Sequence, residues 1–85
     1  MNYKIIIEKN ACKEAEKIPA KYRTSVDKAI LSLIANPRPY GSKKLTKKEG
    51  YRIRAGDYRI LYAIDDEAKV VVVYRIKIKS KSTYR

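Results

Sequence analysis

Between Ala20 and Ala35, apolar side chains recur at Tyr22, Val26, Ala29, Ile30, Leu33 and Ile34. Steps of three and four put them on one stripe of a helix. The opposite face carries Lys21, Arg23, Asp27 and Lys28, and Asn36-Pro37 closes the run. Upstream, YKIIIEK (Tyr3–Lys9) holds three consecutive isoleucines and predicts a strand. Asn10 then stands where an N-cap is expected. A short helix is expected from Ala11 to about Lys17, with Ala11, Ala15 and Ile18 on one face and Pro19 ending it. So short a link between two helices predicts an αα-hairpin.

Downstream the period shortens to two. PRPYGSKKLTKKEG, residues 37–50, is a loop by composition. Gly50–Ala55 and Tyr58–Ile64 read as strands joined by Gly56-Asp57, a two-residue turn suited to a tight hairpin. Asp65–Glu67 make the next turn, Ala68–Lys77 a third strand, and SKSTYR an exposed tail. The order β-α-α-β-β-β describes an α+β fold, with an N-terminal strand, a helical hairpin and a mainly antiparallel sheet. Residues 1–85 are expected to form a single domain, with a basic tail from about residue 78.

Alternation fixes what the hairpin presents. Tyr51, Ile53, Tyr58, Ile60 and Tyr62 share the face that must meet the helices. With Gly56-Asp57 as the loop, Ala55 pairs with Tyr58 and Arg54 lies across from Arg59, so Arg52, Arg54 and Arg59 cluster on the outward face. Pairing of these arginines with Glu49 or Asp65 is the structural alternative. For the third strand a three-residue turn is preferred. It sets Ile64 against Ala68 and Arg59 against Val73, lines Tyr58, Ile60 and Tyr62 up with Tyr74, Val72 and Val70 in the core, and puts Arg75 and Lys77 on the arginine face.

Charge sharpens this picture. Twenty-one Lys and Arg against nine Asp and Glu give +12 in 85 residues. Residues 38–59 and 69–85 each carry +6, while 60–68 carry −3. An excess clustered in two segments points to a polyanion, nucleic acid or an acidic protein, more than to general solubility. The basic groups follow no amphipathic helix with bulky apolar anchors, so a membrane surface fits less well.

Composition narrows the chemistry. There is no histidine, Trp or Phe, and eight tyrosines supply all the aromatic mass. A lone Cys12 offers neither an internal disulfide nor a metal site, and fits a reducing compartment. The N-terminus has no signal-peptide pattern and no apolar run spans a bilayer, so a cytoplasmic location is expected. No phosphate-binding glycine loop occurs. No cofactor is implied. Arginine, lysine and tyrosine remain, groups that grip phosphates and stabilise a phosphorane-like transition state. RNA brings its own nucleophile, the 2′-hydroxyl.

Taken together, NPRPYGSKKL and YRIRAGDYRILY, with the valine-rich strand and the basic end TYR, resemble the RelE-type toxins (mRNA interferases) of the RelE/ParE superfamily. The resemblance spans nearly the whole chain. It implies a type II toxin–antitoxin toxin that enters the ribosomal A site and cleaves mRNA without metal, held inactive by a cognate acidic RelB-like antitoxin. Arg52 and Arg54 match the basic pair of the family's hairpin strand, implying a grip on the phosphate backbone and assistance to proton transfer. Arg59 matches the arginine that stabilises the scissile phosphate, and Tyr84 the C-terminal tyrosine that stacks on a base or moves a proton. Lys43, Lys44, Lys47, Lys48, Arg75, Lys77, Lys79, Lys81 and Arg85 are the accompanying RNA-binding candidates. Many relatives carry a Gly-His-Arg-like element before the final tyrosine; here that region reads Ile78-Lys79-Ser80-Lys81. Arginine stays protonated, so Tyr84 or a lysine of lowered pKa is the candidate base. Two other readings stand beside this one: a ParE-like DNA gyrase inhibitor, and a degenerate toxin that binds RNA or antitoxin without cutting.

Overall fold

Tyr58–Asp65, with alternating large side chains, forms the central strand of a five-stranded sheet in the computed structural model, which describes residues 2–46 and 50–78. In chain order the elements are β1 (Lys4–Ile7), α1 (Lys9–Glu16), α2 (Ala20–Ala35), β2 (Lys43–Lys44), β3 (Tyr51–Ala55), β4 (Tyr58–Asp65) and β5 (Val70–Ile78). The sheet runs β1-β5-β4-β3-β2. β1 is parallel to β5, and the other neighbours are antiparallel.

The helices follow the apolar stripes. α2 buries Val26, Ile30 and Leu33 and packs against β1, β3 and β4, while α1 lies along β5. Each helix packs on the sheet more than on its neighbour, so the expected αα-hairpin is a tight connection without a close helix–helix interface. Asn10 is not the cap. The Glu8 amide still belongs to the sheet, donating to the Val73 carbonyl at 2.9 Å, and the helix begins immediately at Lys9. Pro19 both ends the link and stands at the N-cap of α2, its carbonyl accepting from Tyr22 and Arg23. Ala11, Ile18, Val26, Ile30, Leu33, Ile60, Tyr62, Val71, Val73 and Ile76 make the core.

Two parts of the sheet differ from the sequence-based expectation. Lys43–Lys44, read as loop, add a short edge strand to β3. The return from this edge depends on Gly50, whose φ is 131° and whose hypothetical Cβ would sit 2.8 Å from the Tyr62 carbonyl oxygen. The β4–β5 register also differs. The turn spans four residues, 66–69, with Lys69 left-handed (φ 59°) and Asp65 Oδ1 accepting from the Ala68 amide at 3.0 Å. Asp65 therefore pairs with Val70, and Val71 and Val73 point inward in place of Val70 and Val72. A bulge then inserts Tyr74 between the pairs Tyr62–Val73 and Leu61–Arg75. That extra residue flips the alternation, burying Ile76 and returning Arg75 and Lys77 to the face that the expected register had given them.

Candidate nucleic-acid interface

The register lays basic side chains out as two cross-strand rows on the sheet face opposite the core. One row runs Lys43, Arg52, Leu61 and Arg75 across β2, β3, β4 and β5; the next runs Arg54, Arg59 and Lys77 across β3, β4 and β5. Lys43 stands directly across from Arg52, and Arg54 from Arg59. Beside them a cleft of about 450 Å³ is lined by Tyr40, Gly41, Lys43, Arg52, Ile53 and Arg54. A hollow of about 50 Å³ under the hairpin turn is lined by Arg54, Gly56, Asp57, Tyr58 and Arg59. The Arg59 Nε is buried with no hydrogen-bond acceptor among the described residues. An unmet donor of this kind costs roughly 1–3 kcal/mol.

Not every basic residue nominated from sequence joins this face. Lys44 pairs with Tyr51, on the other side of the sheet, in a recess it shares with Arg38 and Ile64. Arg75 is on the right face but is tied to α1: Glu14 Oε2 accepts from its Nε at 2.9 Å, and Oε1 accepts from the Ile76 amide at 2.6 Å. The cause is topological. β1 pairs β5 only as far as Val73, and Glu14 supplies an acceptor along the edge beyond it. Lys47, Lys48, Lys79, Lys81, Tyr84 and Arg85 lie outside the described residues, as does Glu49. Asp65, the other acid considered for the arginines, instead caps the β4–β5 turn.

A second cluster, not foreseen from the sequence, fixes the loop that walls the cleft. Arg38 donates to both oxygens of Asp66 at 3.3 and 2.9 Å and to the Tyr51 hydroxyl at 3.1 Å. Tyr3 donates to Asp66 Oδ1 at 2.7 Å. Buried Tyr62 donates to the Pro37 carbonyl at 2.7 Å. The Arg38 guanidinium, then the Tyr3 hydroxyl, hold the Asp66 carboxyl down at about 2. The same carboxylate raises Tyr3, and burial pushes Tyr62 up to about 12. The sequence signal was Arg38 itself, flanked by Pro37 and Pro39, but its partner lies far along the chain in a turn that reads as merely solvated acid.

Comparison with known proteins gives this arrangement a family. Residues 5–82 match the ParE toxin of the type II toxin–antitoxin system, parDE. The chain is 30% identical over 82 residues to Toxin RelE of Mycobacterium tuberculosis, covering 94% of this chain and 84% of that protein. It is 27% identical over 84 residues to the mRNA interferase toxin RelE of Escherichia coli, covering 96% and 88%. Among solved structures, the isolated Escherichia coli RelE toxin superposes with a TM-score of 0.82 at 25% identity, over 96% of this chain and 89% of that one. A chain of the Mycobacterium tuberculosis toxin–antitoxin complex RelBE2 superposes with a TM-score of 0.81 at 27% identity, over 92% and 99%. An α+β sheet of this topology, opened on one face to a grid of cations, thus belongs to a RelE-type toxin of the RelE/ParE superfamily, from a type II toxin–antitoxin system.

Proposed function

We propose that this toxin is a ribosome-dependent endoribonuclease. It cleaves mRNA in the A site by attack of the RNA 2′-hydroxyl, inhibits translation in the cytoplasm, and is held in check by a cognate acidic RelB-like antitoxin. The observation that carries this reading is the pairing of Arg54 with Arg59 beside Arg52 on an open face. Related toxins named mRNA interferase and RelE–RelB complexes support the activity and the partner.

The chemistry follows from the charges. Arg52 and Arg54 hold phosphates flanking the break, and Arg59 neutralises the scissile group as negative charge builds on its equatorial oxygens. The 2′-oxygen bonds to phosphorus while the bond from phosphorus to the 5′-oxygen breaks. The 2′-hydroxyl proton passes to a base, for which Tyr84 or a tail lysine is assigned, and the leaving 5′-oxygen takes up a proton. Attack in line requires the strand to be bent and held, which suits a grid of fixed arginines better than mobile lysines.

A second reading, inhibition of DNA gyrase, is favoured by the match to the ParE toxin family. A coupled transcription–translation reaction and a gyrase supercoiling assay separate the two. The nuclease reading predicts that purified toxin stops protein synthesis, that Arg59→Ala does not, and that supercoiling proceeds. Normal synthesis with blocked supercoiling overturns it.

A further inference from the structure

We propose that Tyr40 is a base-stacking residue, taking on its ring a nucleobase of the single-stranded RNA whose adjoining phosphate rests on Arg52 and Arg54. The inference builds on the RNA-binding reading of the cationic face and adds a contact that no charge pattern supplies.

Six of the seven described tyrosines are engaged in the fold. Tyr3 bonds Asp66, Tyr22 and Tyr58 meet ring to ring, Tyr51 stacks on buried Tyr62, and the Tyr74 hydroxyl approaches Gly50. Tyr40 is fully exposed and makes no ring contact or hydrogen bond among the described residues. A lone exposed aromatic is ordinary on a surface. This one, however, lines the same cleft as Lys43, Arg52 and Arg54.

Its backbone is also fixed. The Ser42 amide donates to the Pro39 carbonyl at 2.9 Å, and Gly41 takes φ 97°. Pro39, Tyr40, Gly41 and Ser42 are therefore the four residues of a turn with a left-handed glycine at its third position, which puts Tyr40 at the apex. The base of the loop is pinned by the Pro37–Tyr62, Arg38–Asn36 and Arg38–Asp66 bonds, and two proline rings stiffen its backbone. The backbone thus holds Tyr40 at the rim of the cleft beside the arginines, and binding has to order only its side-chain torsions. A cationic groove with an aromatic platform is the combination that binds single strands, and stacking accepts any base. Tyr40 is accordingly a binding residue with weak sequence preference.

The test compares full-length protein with two probes: a short single-stranded RNA, and an abasic ribose-phosphate oligomer of equal length. Tyr40→Ala is expected to bind the RNA roughly tenfold more weakly and the abasic oligomer as wild type does. The chain has no tryptophan, so Tyr40→Trp provides a single indole. Its emission is expected to be quenched by the RNA and not by the abasic oligomer. Equal RNA affinity of Tyr40→Ala and wild type, with Arg52→Ala weakened, overturns the stacking role alone. So does a loss that is the same on both probes. RNA binding unmoved by both Arg52→Ala and Arg54→Ala overturns the cationic-face reading, and the stacking role with it.

Discussion

Arg54 stands directly across from Arg59, and Lys77 stands across from Arg59 on its other side, so three cations occupy one row of adjacent strands. Like charges at this spacing destabilise a sheet by about 0.2–1 kcal/mol. Arg54→Gln, which keeps the stem of an exposed side chain, is therefore expected to stabilise the fold by a few tenths of a kcal/mol at low salt. The gain should shrink as salt screens the row. Urea denaturation at two ionic strengths measures both, and a destabilised variant would show that the arginine serves the fold.

Phosphate contacts should dominate the affinity for RNA. Releasing counterions from a single strand gives a slope of roughly −0.7 in log affinity against log salt per neutralised phosphate. Lys43, Arg52, Arg54, Arg59 and Lys77, each neutralising one phosphate, together predict a slope of about −3.5, and Lys43→Ala should reduce its magnitude by about 0.7. Titrations of a short RNA at several salt concentrations measure it.

Glycine is demanded at position 50. A Cβ there meets the Tyr62 carbonyl 2.8 Å away, at a backbone φ of 131° that side-chain-bearing residues rarely adopt. Gly50→Ala is expected to cost about 1–3 kcal/mol and lower Tm by roughly 10 °C. An unchanged melting curve would mean that the β2–β3 return shifts without penalty.

The Asp66 carboxyl titrates near 2 in the folded chain against an ordinary 3.8, because Arg38 and Tyr3 both donate to it. A depressed pKa stabilises the fold above the unfolded value and loses that contribution as pH falls through the folded one. Wild type should therefore lose stability between about pH 4 and 2, in part through this group. Asp66→Asn should be less stable at neutral pH and show a shallower decline across that window. Parallel curves for the two proteins would remove Asp66 from the acid response.

The hairpin was legible because a two-residue turn and strict alternation leave one register, and Arg54 opposite Arg59 follows from counting. α2 was legible from its stripe, with the same bounds, Ala20 and Ala35. β5 was not. Its partners are set by Lys69 in a left-handed conformation and by the bulge at Tyr74, and a run of four valines carries no mark of which face is inward. The two departures cancel at Arg75 and Lys77, so the predicted face was reached through a different register. The Arg38–Asp66 clamp and the placing of Tyr40 required three-dimensional proximity between segments that the sequence separates widely.

The central claim is that the arginine face holds RNA while its own 2′-hydroxyl attacks. The most direct measurement is the end chemistry of mRNA fragments from a translation reaction with purified toxin, beside Arg59→Ala. The account predicts breaks confined to translated mRNA, with 2′,3′-cyclic phosphate and 5′-hydroxyl ends, and none with Arg59→Ala. Intact mRNA, or fragments carrying 3′-hydroxyl and 5′-phosphate ends, would contradict it.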